Sequence, residues 1–134
     1  NDMEGGQTNE FRPLILVAED DDSNFKLIKA IIGKKCDIQW AKNGEEIVAL
    51  FKEYGKEAKA ILMDIKMPVM NGLDATKIIR EENKEIPIIM QTAYAFSSDK
   101  ENAMNAGASE VLVKPITLSI LRGTLTKYFP ELVW

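Results

Sequence analysis

The sequence predicts an open, doubly wound α/β sheet, and three observations favour this fold class. Short apolar runs alternate five times with segments of helical period between residues 14 and 129. Three of these runs are apolar at every position, which is typical of parallel strands covered by helices on both faces. Because right-handed crossovers place helices on both sides of such a sheet, the strict alternation predicts a single domain with five parallel strands.

The chain begins with a segment that has no apolar period. Residues 1–12 are polar and contain Gly5 and Gly6, so we expect a flexible linker or tail there and the folded domain over residues 13–134. Because residue 1 is not methionine, we expect a fragment excised from a longer protein. The predicted strands and helices follow as residues 14–18, 25–32, 38–41, 47–54, 60–63, 73–79, 86–90, 97–106, 111–113 and 118–129.

Hydrophobic patterning separates the edge of the sheet from its centre. Residues 14–18, 60–63 and 88–90 are wholly apolar and predict central strands, whereas 37–41 alternates and predicts an edge strand. Apolar residues recur at i, i+3, i+4 and i+7 in the second predicted helix, as in an amphipathic helix. Expected N-caps are Asp22 or Ser23, Asn43 and Thr117.

The fourth predicted helix, at about residues 98–106, has the weakest apolar face in the chain. It offers mostly Ala103, Met104 and Ala106 for burial. Since packing of an apolar face supplies most of the stability of a surface helix, we expect this helix to be the least firmly docked.

Composition excludes several classes of function. The chain has no histidine, which removes Ser-His-Asp and Cys-His nucleophilic arrangements and every His-ligated metal site. Cys36 is the only cysteine, so no internal disulfide forms and a reducing, cytoplasmic setting is expected. The net charge of −4 disfavours direct nucleic-acid binding, and no apolar run has the length that a membrane span needs.

Polar residues follow the predicted strands at the points where ligands bind in sheets of this kind. Glu19 and Asp20 follow the first strand, Asp64 the third, Thr92 the fourth and Lys114 the fifth. Each alone has an ordinary interpretation, as a helix cap, a backbone-bonded hydroxyl or a salt bridge. Together they predict three carboxylates, a hydroxyl and an ammonium at one edge, where Mg²⁺ would offset the crowded negative charge.

Such a set suits recognition and transfer of a phosphoryl group. With no histidine, and no serine or cysteine at a strand end, a carboxylate is the best nucleophile, and the central Asp64 is the candidate acceptor. Lys114 and a backbone N–H near Ala93 would stabilise charge on the transferring group. Pro115 fixes the turn directly after the lysine and so would keep its ammonium at the mouth of the site.

At these residues the chain resembles the receiver domain of bacterial two-component response regulators, the CheY-like family, over nearly all of residues 13–129. The family's acid pair corresponds to Glu19 and Asp20, its phosphorylated aspartate to Asp64, its switch Ser/Thr to Thr92 and its lysine to Lys114. The stretch Met-Asp-Ile-Lys-Met-Pro-Val-Met-Asn-Gly at residues 63–72 is similar to the family's loop after the acceptor. Lys114 and Pro115 resemble the family's lysine–proline pair, whose peptide bond is typically cis.

The resemblance implies a fold, a cofactor and partners. The fold is a flavodoxin-like (βα)5 domain with strand order 2-1-3-4-5. Asp20, Asp64 and the backbone carbonyl of Lys66 would ligate Mg²⁺, with Glu19 acting through water. The domain would be a phosphorelay switch that catalyses only its own phosphorylation and dephosphorylation. Its phosphodonor would be a histidine kinase or histidine phosphotransfer domain, and a homodimer is compatible with the resemblance. The sequence of residues 63–76 is most similar to that of receivers fused to hybrid sensor histidine kinases.

Two features concern how the switch would work. The family often has an aromatic residue three positions before the lysine, but here that residue is Val111. We therefore expect the output to depend on the loop at 93–98 and on the helices at 98–106 and 118–129. Lys66 and Tyr94 resemble positions that tune the lifetime of the phosphoryl group.

Two rival functions share parts of this pattern. A haloacid-dehalogenase-type phosphatase would also use an aspartate nucleophile, threonine, lysine and Mg²⁺, but it needs an acid two residues after the nucleophile, where this chain has Lys66. An interaction module that keeps the fold without using the site is disfavoured by the complete set of acceptor, acid pair, threonine and lysine. Labelling with a phosphodonor separates these functions.

Overall fold

A computed structural model of the chain describes residues 11–94 and 98–134. It contains five strand–helix pairs in strict alternation, as the sequence predicts. The strands are β1 (Leu14–Ala18), β2 (Asp37–Ala41), β3 (Ala58–Asp64), β4 (Ile88–Thr92) and β5 (Glu110–Val113). The helices are α1 (Asp22–Ile32), α2 (Gly44–Tyr54), α3 (Gly72–Glu82), α4 (Asp99–Ala106) and α5 (Leu118–Tyr128).

All five strands are parallel and lie in the order β2-β1-β3-β4-β5, which confirms the predicted topology. The alternating segment forms β2, one edge of the sheet, and β5 forms the other edge. Ala18 at the end of β1 pairs with Met63, the residue before Asp64. This register brings the carboxyl ends of the two central strands side by side.

Two hydrophobic clusters cover the two faces of the sheet. Successive residues of β1 alternate between them: Leu16 belongs to the cluster that includes residues of α2, α3 and α4, whereas Ile15 and Val17 belong to the one that includes residues of α1 and α5. Such alternation follows from the two-residue period of side chains along a strand. Since both faces are covered, the carboxyl edge of the sheet is where polar side chains reach solvent.

The helix termini depart from the predicted caps at one point. Asn43 and Thr117 cap α2 and α5 as predicted, each accepting a backbone N–H with its side chain. The cap of α1, however, is Asp21 rather than Asp22 or Ser23, because its Oδ1 accepts the N–H groups of Ser23 and Asn24. The two expected caps, Asp22 and Ser23, are instead the first and second residues of the helix.

Helix α4 is shorter and less buried than the other helices. It has eight residues, and its buried side chains are Ala103 and Ala106. Met104, expected to contribute to the apolar face, is 49% exposed, so that part of the prediction was wrong. The turn after α4 uses Gly107 at φ 116°, a left-handed conformation that favours glycine.

Both ends of the described chain pack against the face formed by α1 and α5. Residues 1–10 of the predicted tail lie outside the described residues, but Arg12 donates to the carbonyl oxygens of Lys34, Gly33 and Cys36 beyond the end of α1. Ordered contacts thus begin before residue 13. Within residues 11–94 and 98–134, no helix combines the length and apolar character that crossing a bilayer requires.

Candidate functional site

A polar cleft of about 250 Å³ opens at the carboxyl edge of the sheet. It lies among the loops that follow β1, β3, β4 and β5, where the sequence places the candidate residues. The predicted residues that line it are Glu19, Asp20, Asp64, Lys66, Thr92, Ala93 and Lys114. Pro115 and Tyr94 are not among its lining residues, although each adjoins one that is.

Three carboxylates form one side of the cleft, which we call the acid side: Glu19, Asp20 and Asp64. One carboxylate oxygen from each lies within 4.8 Å of the others. Glu19 is fully buried and Asp64 is 5% exposed, because both stand at the ends of the central strands, whereas Asp20 faces solvent. The adjacent positions of β1 and β3 in the sheet thus account for the crowding of negative charge.

This crowding changes the protonation of Glu19. Burial and the neighbouring Asp64 raise the pKa of its carboxyl from 4.5 to about 7. Its Oε2 accepts the N–H of Asp21 at 3.2 Å, whereas Oε1 is buried and accepts no hydrogen bond from the described residues. One buried carboxylate oxygen is therefore left without a hydrogen-bond donor, which is unfavourable in a folded protein.

Lys114 supplies positive charge on the side of the cleft that faces these carboxyl groups. Its Nζ donates to Asp64 Oδ2 at 3.1 Å and lies 3.6 Å from Glu19 Oε1. Burial lowers the pKa of Lys114, but the carboxylates of Asp64 and Glu19 outweigh this effect and leave the pKa raised. The Lys114–Pro115 peptide bond is cis, as the resemblance implies.

The three carboxylates also fit a divalent cation. All of the donors are oxygen atoms, the ligands that Mg²⁺ prefers, and Glu19, whose Oε1 accepts no hydrogen bond from the described residues, is one of the three. When all three carboxyl groups are ionised, the ammonium of Lys114 offsets one of their three negative charges. The donor set of this edge thus suits a hard metal ion.

Thr92, Ala93, Tyr94 and α4 form what we call the switch side, of which Thr92, Ala93 and Asp99 line the cleft. The buried Thr92 Oγ1 donates to Asp99 Oδ2 at 3.2 Å and accepts the N–H of Tyr94 at 3.1 Å. Ala93 is exposed at the cleft. The two predicted tuning residues meet here, since Lys66 Nζ lies 4.8 Å from the centre of the Tyr94 ring.

Sequence reasoning missed Asp99, which lines the cleft and bonds to Thr92. An acidic first turn is favourable at any helix N-terminus, so its position alone did not single it out. The loop expected to move spans residues 93–98, and residues 95–97 of it lie outside the described residues.

Residues 15–126 match the family model of the response regulator receiver domain. The chain belongs to this family. Receiver domains are signalling switches of two-component systems, so the match confirms the resemblance that the strand-end residues indicated.

Relatives of this receiver domain include hybrid kinases. Hybrid signal transduction histidine kinase I of Dictyostelium discoideum is 41% identical over 129 residues, covering 87% of this chain. The chain spans 7% of the length of that kinase and 4% of hybrid signal transduction histidine kinase G from the same organism. The predicted similarity to receivers of hybrid histidine kinases is thus confirmed.

Two solved structures share the fold throughout. The receiver domain of sensor histidine kinase PA1611 from Pseudomonas aeruginosa PAO1, described with a magnesium ion in its active site cleft, is 30% identical with a TM-score of 0.82, covering 90% of this chain and 99% of that one. The receiver domain of Saccharomyces cerevisiae Ssk1, solved with the histidine phosphotransfer protein Ypd1, is 28% identical with a TM-score of 0.81, covering 91% and 93%.

Proposed function

We propose that this receiver domain accepts a phosphoryl group on Asp64, in the presence of Mg²⁺, from a phosphohistidine of a partner protein. The observation that carries the proposal is the acid side with the lysine that faces it: three clustered carboxylates, a buried Glu19 oxygen that accepts no hydrogen bond from the described residues, and Lys114. An arrangement this unfavourable in isolation is expected where a charged ligand completes it. The magnesium-bearing receiver of Pseudomonas aeruginosa supports the same conclusion.

The chemistry follows from the groups at the cleft. A carboxylate oxygen of Asp64 attacks phosphorus, a new P–O bond forms, and the P–N bond to the donor imidazole breaks. Bound Mg²⁺ would offset charge on the phosphoryl oxygens; Asp20, Asp64 and the Lys66 carbonyl would hold it directly and Glu19 through water. Lys114 and the Ala93 N–H then stabilise the oxygens of the transferring group.

The same residues account for a switch rather than turnover of a separate substrate. The chain would catalyse only its own phosphorylation and dephosphorylation, and Lys66 and Tyr94 would tune the lifetime of the product from the rim of the cleft. Thr92 lines the same cleft as Asp64, and its hydroxyl donates to Asp99, the first residue of α4. We propose that the output surface comprises α4, Val111 and α5.

The phosphodonor must lie outside this sequence, because the sequence contains no histidine. We propose a histidine kinase or a histidine phosphotransfer domain, which the complex of the related yeast receiver with Ypd1 supports. Lys114 borders both the polar cleft and a small apolar hollow lined by Leu27, Pro115 and Ile116, so a donor domain could contact apolar surface beside the reacting atoms. A homodimer, the absence of direct contact with nucleic acid or membrane, the cytoplasmic setting and the boundary at residue 13 stay predictions.

Mass spectrometry after incubation with acetyl phosphate tests the acceptor. We expect one phosphoryl group per chain with MgCl2, none with EDTA, and none in Asp64→Asn under either condition. The matched control is Asp74→Asn, an exposed carboxylate in the first turn of α3, which should label like the parent. Stoichiometric labelling of Asp64→Asn at another residue would contradict the assignment, and an unlabelled parent would favour a passive interaction module.

A further inference from the structure

Trp40, on the edge strand β2, contacts the backbone that carries the acid pair. Its indole Nε1–H donates to the carbonyl oxygen of Glu19 at 2.8 Å. That carbonyl belongs to the peptide group that joins Glu19 to Asp20. Because a peptide group is planar, fixing its oxygen fixes the orientation of the whole unit between the two Cα atoms. A single side chain thus restrains both acidic residues.

The indole is itself held in one position by its neighbours. Its ring stacks on Phe25 of α1, with centroids 3.9 Å apart and planes parallel, and Lys42 Nζ lies 4.7 Å from its centre. Lys42 also pairs with Asp22 in the first turn of α1 at 3.6 Å. Stacking and cation–π contacts of this kind fix an aromatic ring relative to the elements around it. Trp40 is therefore a rigid donor.

The peptide needs such a donor because of where it lies. The ladder between β1 and β2 ends with the Glu19 N–H, which donates to the Ala41 carbonyl at 2.9 Å. Beyond that bond the chain turns into α1, while repulsion from Asp64 acts on both acid side chains. The hydrogen bond from the indole restrains the next backbone group after the ladder, the carbonyl of Glu19.

We propose that Trp40 is a positioning residue for the acid pair, holding the Glu19–Asp20 peptide so that both carboxylates are ready to bind Mg²⁺. This inference rests on the magnesium site of the proposed function. Without the N–H donor the peptide can rotate, and binding must then restore its orientation, which lowers affinity. The role of Trp40 is exerted through its bond to the Glu19 carbonyl and involves no contact with metal or phosphoryl group.

The chain offers a matched control in its other tryptophan. Trp134 Nε1 donates to Thr126 Oγ1 at 2.9 Å, and Arg122 lies 5.0 Å from its ring, so it makes the same two kinds of contact beside α5. Trp40→Phe and Trp134→Phe each remove one indole N–H and keep an aromatic ring. Only the first removes a bond to the acid pair.

Calorimetric titration of the metal-free proteins with MgCl2 is the first measurement. Loss of one hydrogen bond predicts an increase of about fivefold in the dissociation constant of Trp40→Phe, with Trp134→Phe unchanged from the parent. Equal affinities in Trp40→Phe and the parent would overturn the inference while leaving the proposed function intact. A parent that does not bind Mg²⁺ would overturn both.

Fluorescence supplies a second measurement, and its deciding variant is Trp134→Phe, which keeps Trp40. In Trp134→Phe the only tryptophan is Trp40, and its emission should change on titration with MgCl2, at the concentrations that calorimetry reports. In Trp40→Phe the emission of Trp134 should stay constant. If saturating MgCl2 binds to Trp134→Phe without altering Trp40 emission, the indole is not coupled to the acid pair and the inference fails.

Discussion

The two sides of the cleft are built differently although both lie at the same edge of one sheet. The acid side stands on the central strands β1 and β3, with Glu19 and Asp64 buried. The switch side consists of the residues at and after the end of β4, where Ala93 and Tyr94 are exposed, and of the short helix α4. Concentrated charge requires a rigid framework, whereas a conformational response requires an element that moves at low cost. The fold provides the rigid framework on the acid side and the mobile element on the switch side.

Helices α3 and α4, which pack on the same face of the sheet, show the contrast most directly. Helix α3 has eleven residues, buries Gly72, Ala75, Thr76 and Ile79, and is capped by the side chain of Asn71. Helix α4 has eight residues, buries two alanines and has no side-chain cap from Ser98. Fewer buried side chains and the lack of a side-chain cap from Ser98 make α4 the weaker of the two described helices.

Gly72→Ala should give the largest effect, because it attacks the junction between α3 and the acid side. A Cβ at position 72 would overlap the carbonyl oxygen of Asp64, while the Gly72 N–H donates to Ile65 O at 2.8 Å. Since backbone must shift to make room, we expect unfolding free energy to fall by about 3–4 kcal/mol. Urea denaturation measures this change.

Gly123→Ala is the control for that substitution. Position 123 lies in α5, and apart from its own helix backbone no described residue lies within 4 Å of the added Cβ, so alanine there should raise stability by about 1 kcal/mol. If Gly72→Ala were as stable as the parent, the close approach of α3 to Asp64 would not be what makes the acid side rigid.

The pH dependence of stability tests the charge of the acid side. Folding raises the pKa of Glu19 from 4.5 to about 7, so between these values the folded chain binds a proton that the unfolded chain has lost. This contribution to stability is fully present below pH 4.5 and is lost as pH rises through 7. It amounts to about 3 kcal/mol in the metal-free protein.

Urea denaturation in EDTA at intervals from pH 4.5 to 8 follows this loss. Glu19→Gln removes the titrating group and should flatten the decline, whereas Glu57→Gln, an exposed carboxyl, should decline like the parent. Identical slopes in Glu19→Gln and the parent would show that the burial of Glu19 does not control the charge balance of this side.

The capping contrast between α3 and α4 predicts a smaller effect. Asn71 Oδ1 accepts the N–H of Asp74 at 2.9 Å, so Asn71→Ala should cost about 1 kcal/mol of unfolding free energy. Ser98 has helical backbone angles and makes no side-chain cap bond, so Ser98→Ala should cost about 0 kcal/mol. Equal losses in thermal or urea unfolding would mean that the two helix starts are anchored alike.

Sequence patterns predicted which residues meet at the cleft better than the tertiary bonds that hold them there, for a physical reason. Topology alone brings strand ends together, so apolar runs followed by Glu19, Asp64 and Lys114 sufficed to place these residues at one edge. The bond from Thr92 to Asp99 and the bond from Trp40 to Glu19 depend on where a helix and an edge strand pack. Such tertiary placement leaves no periodic signal along the chain.

The smallest effect concerns the response of α4 to phosphorylation. It depends on which acceptor receives the single hydroxyl hydrogen of Thr92. Thr92 Oγ1 has one hydrogen to donate, and in this structure it donates to Asp99 Oδ2 at 3.2 Å. A phosphoryl group on Asp64 would present a stronger acceptor across the same cleft. If Thr92 donates to that group instead, α4 loses a bond at its first residue.

Amide hydrogen exchange with and without the phosphoryl mimic beryllofluoride measures this competition. Losing one hydrogen bond should lower protection across Asp99–Ala106 by about fivefold and leave α3 nearly unchanged. Asp99→Ala should lower protection of α4 before the mimic is added and reduce the further change on addition, whereas Asp74→Ala, in the first turn of α3, should do neither.

Since Val111 replaces the usual aromatic residue, the response should not require a ring to move inward. Changes confined to α1 and α2 would contradict the contrast, because they would place the mobile surface on the opposite side of the acceptor.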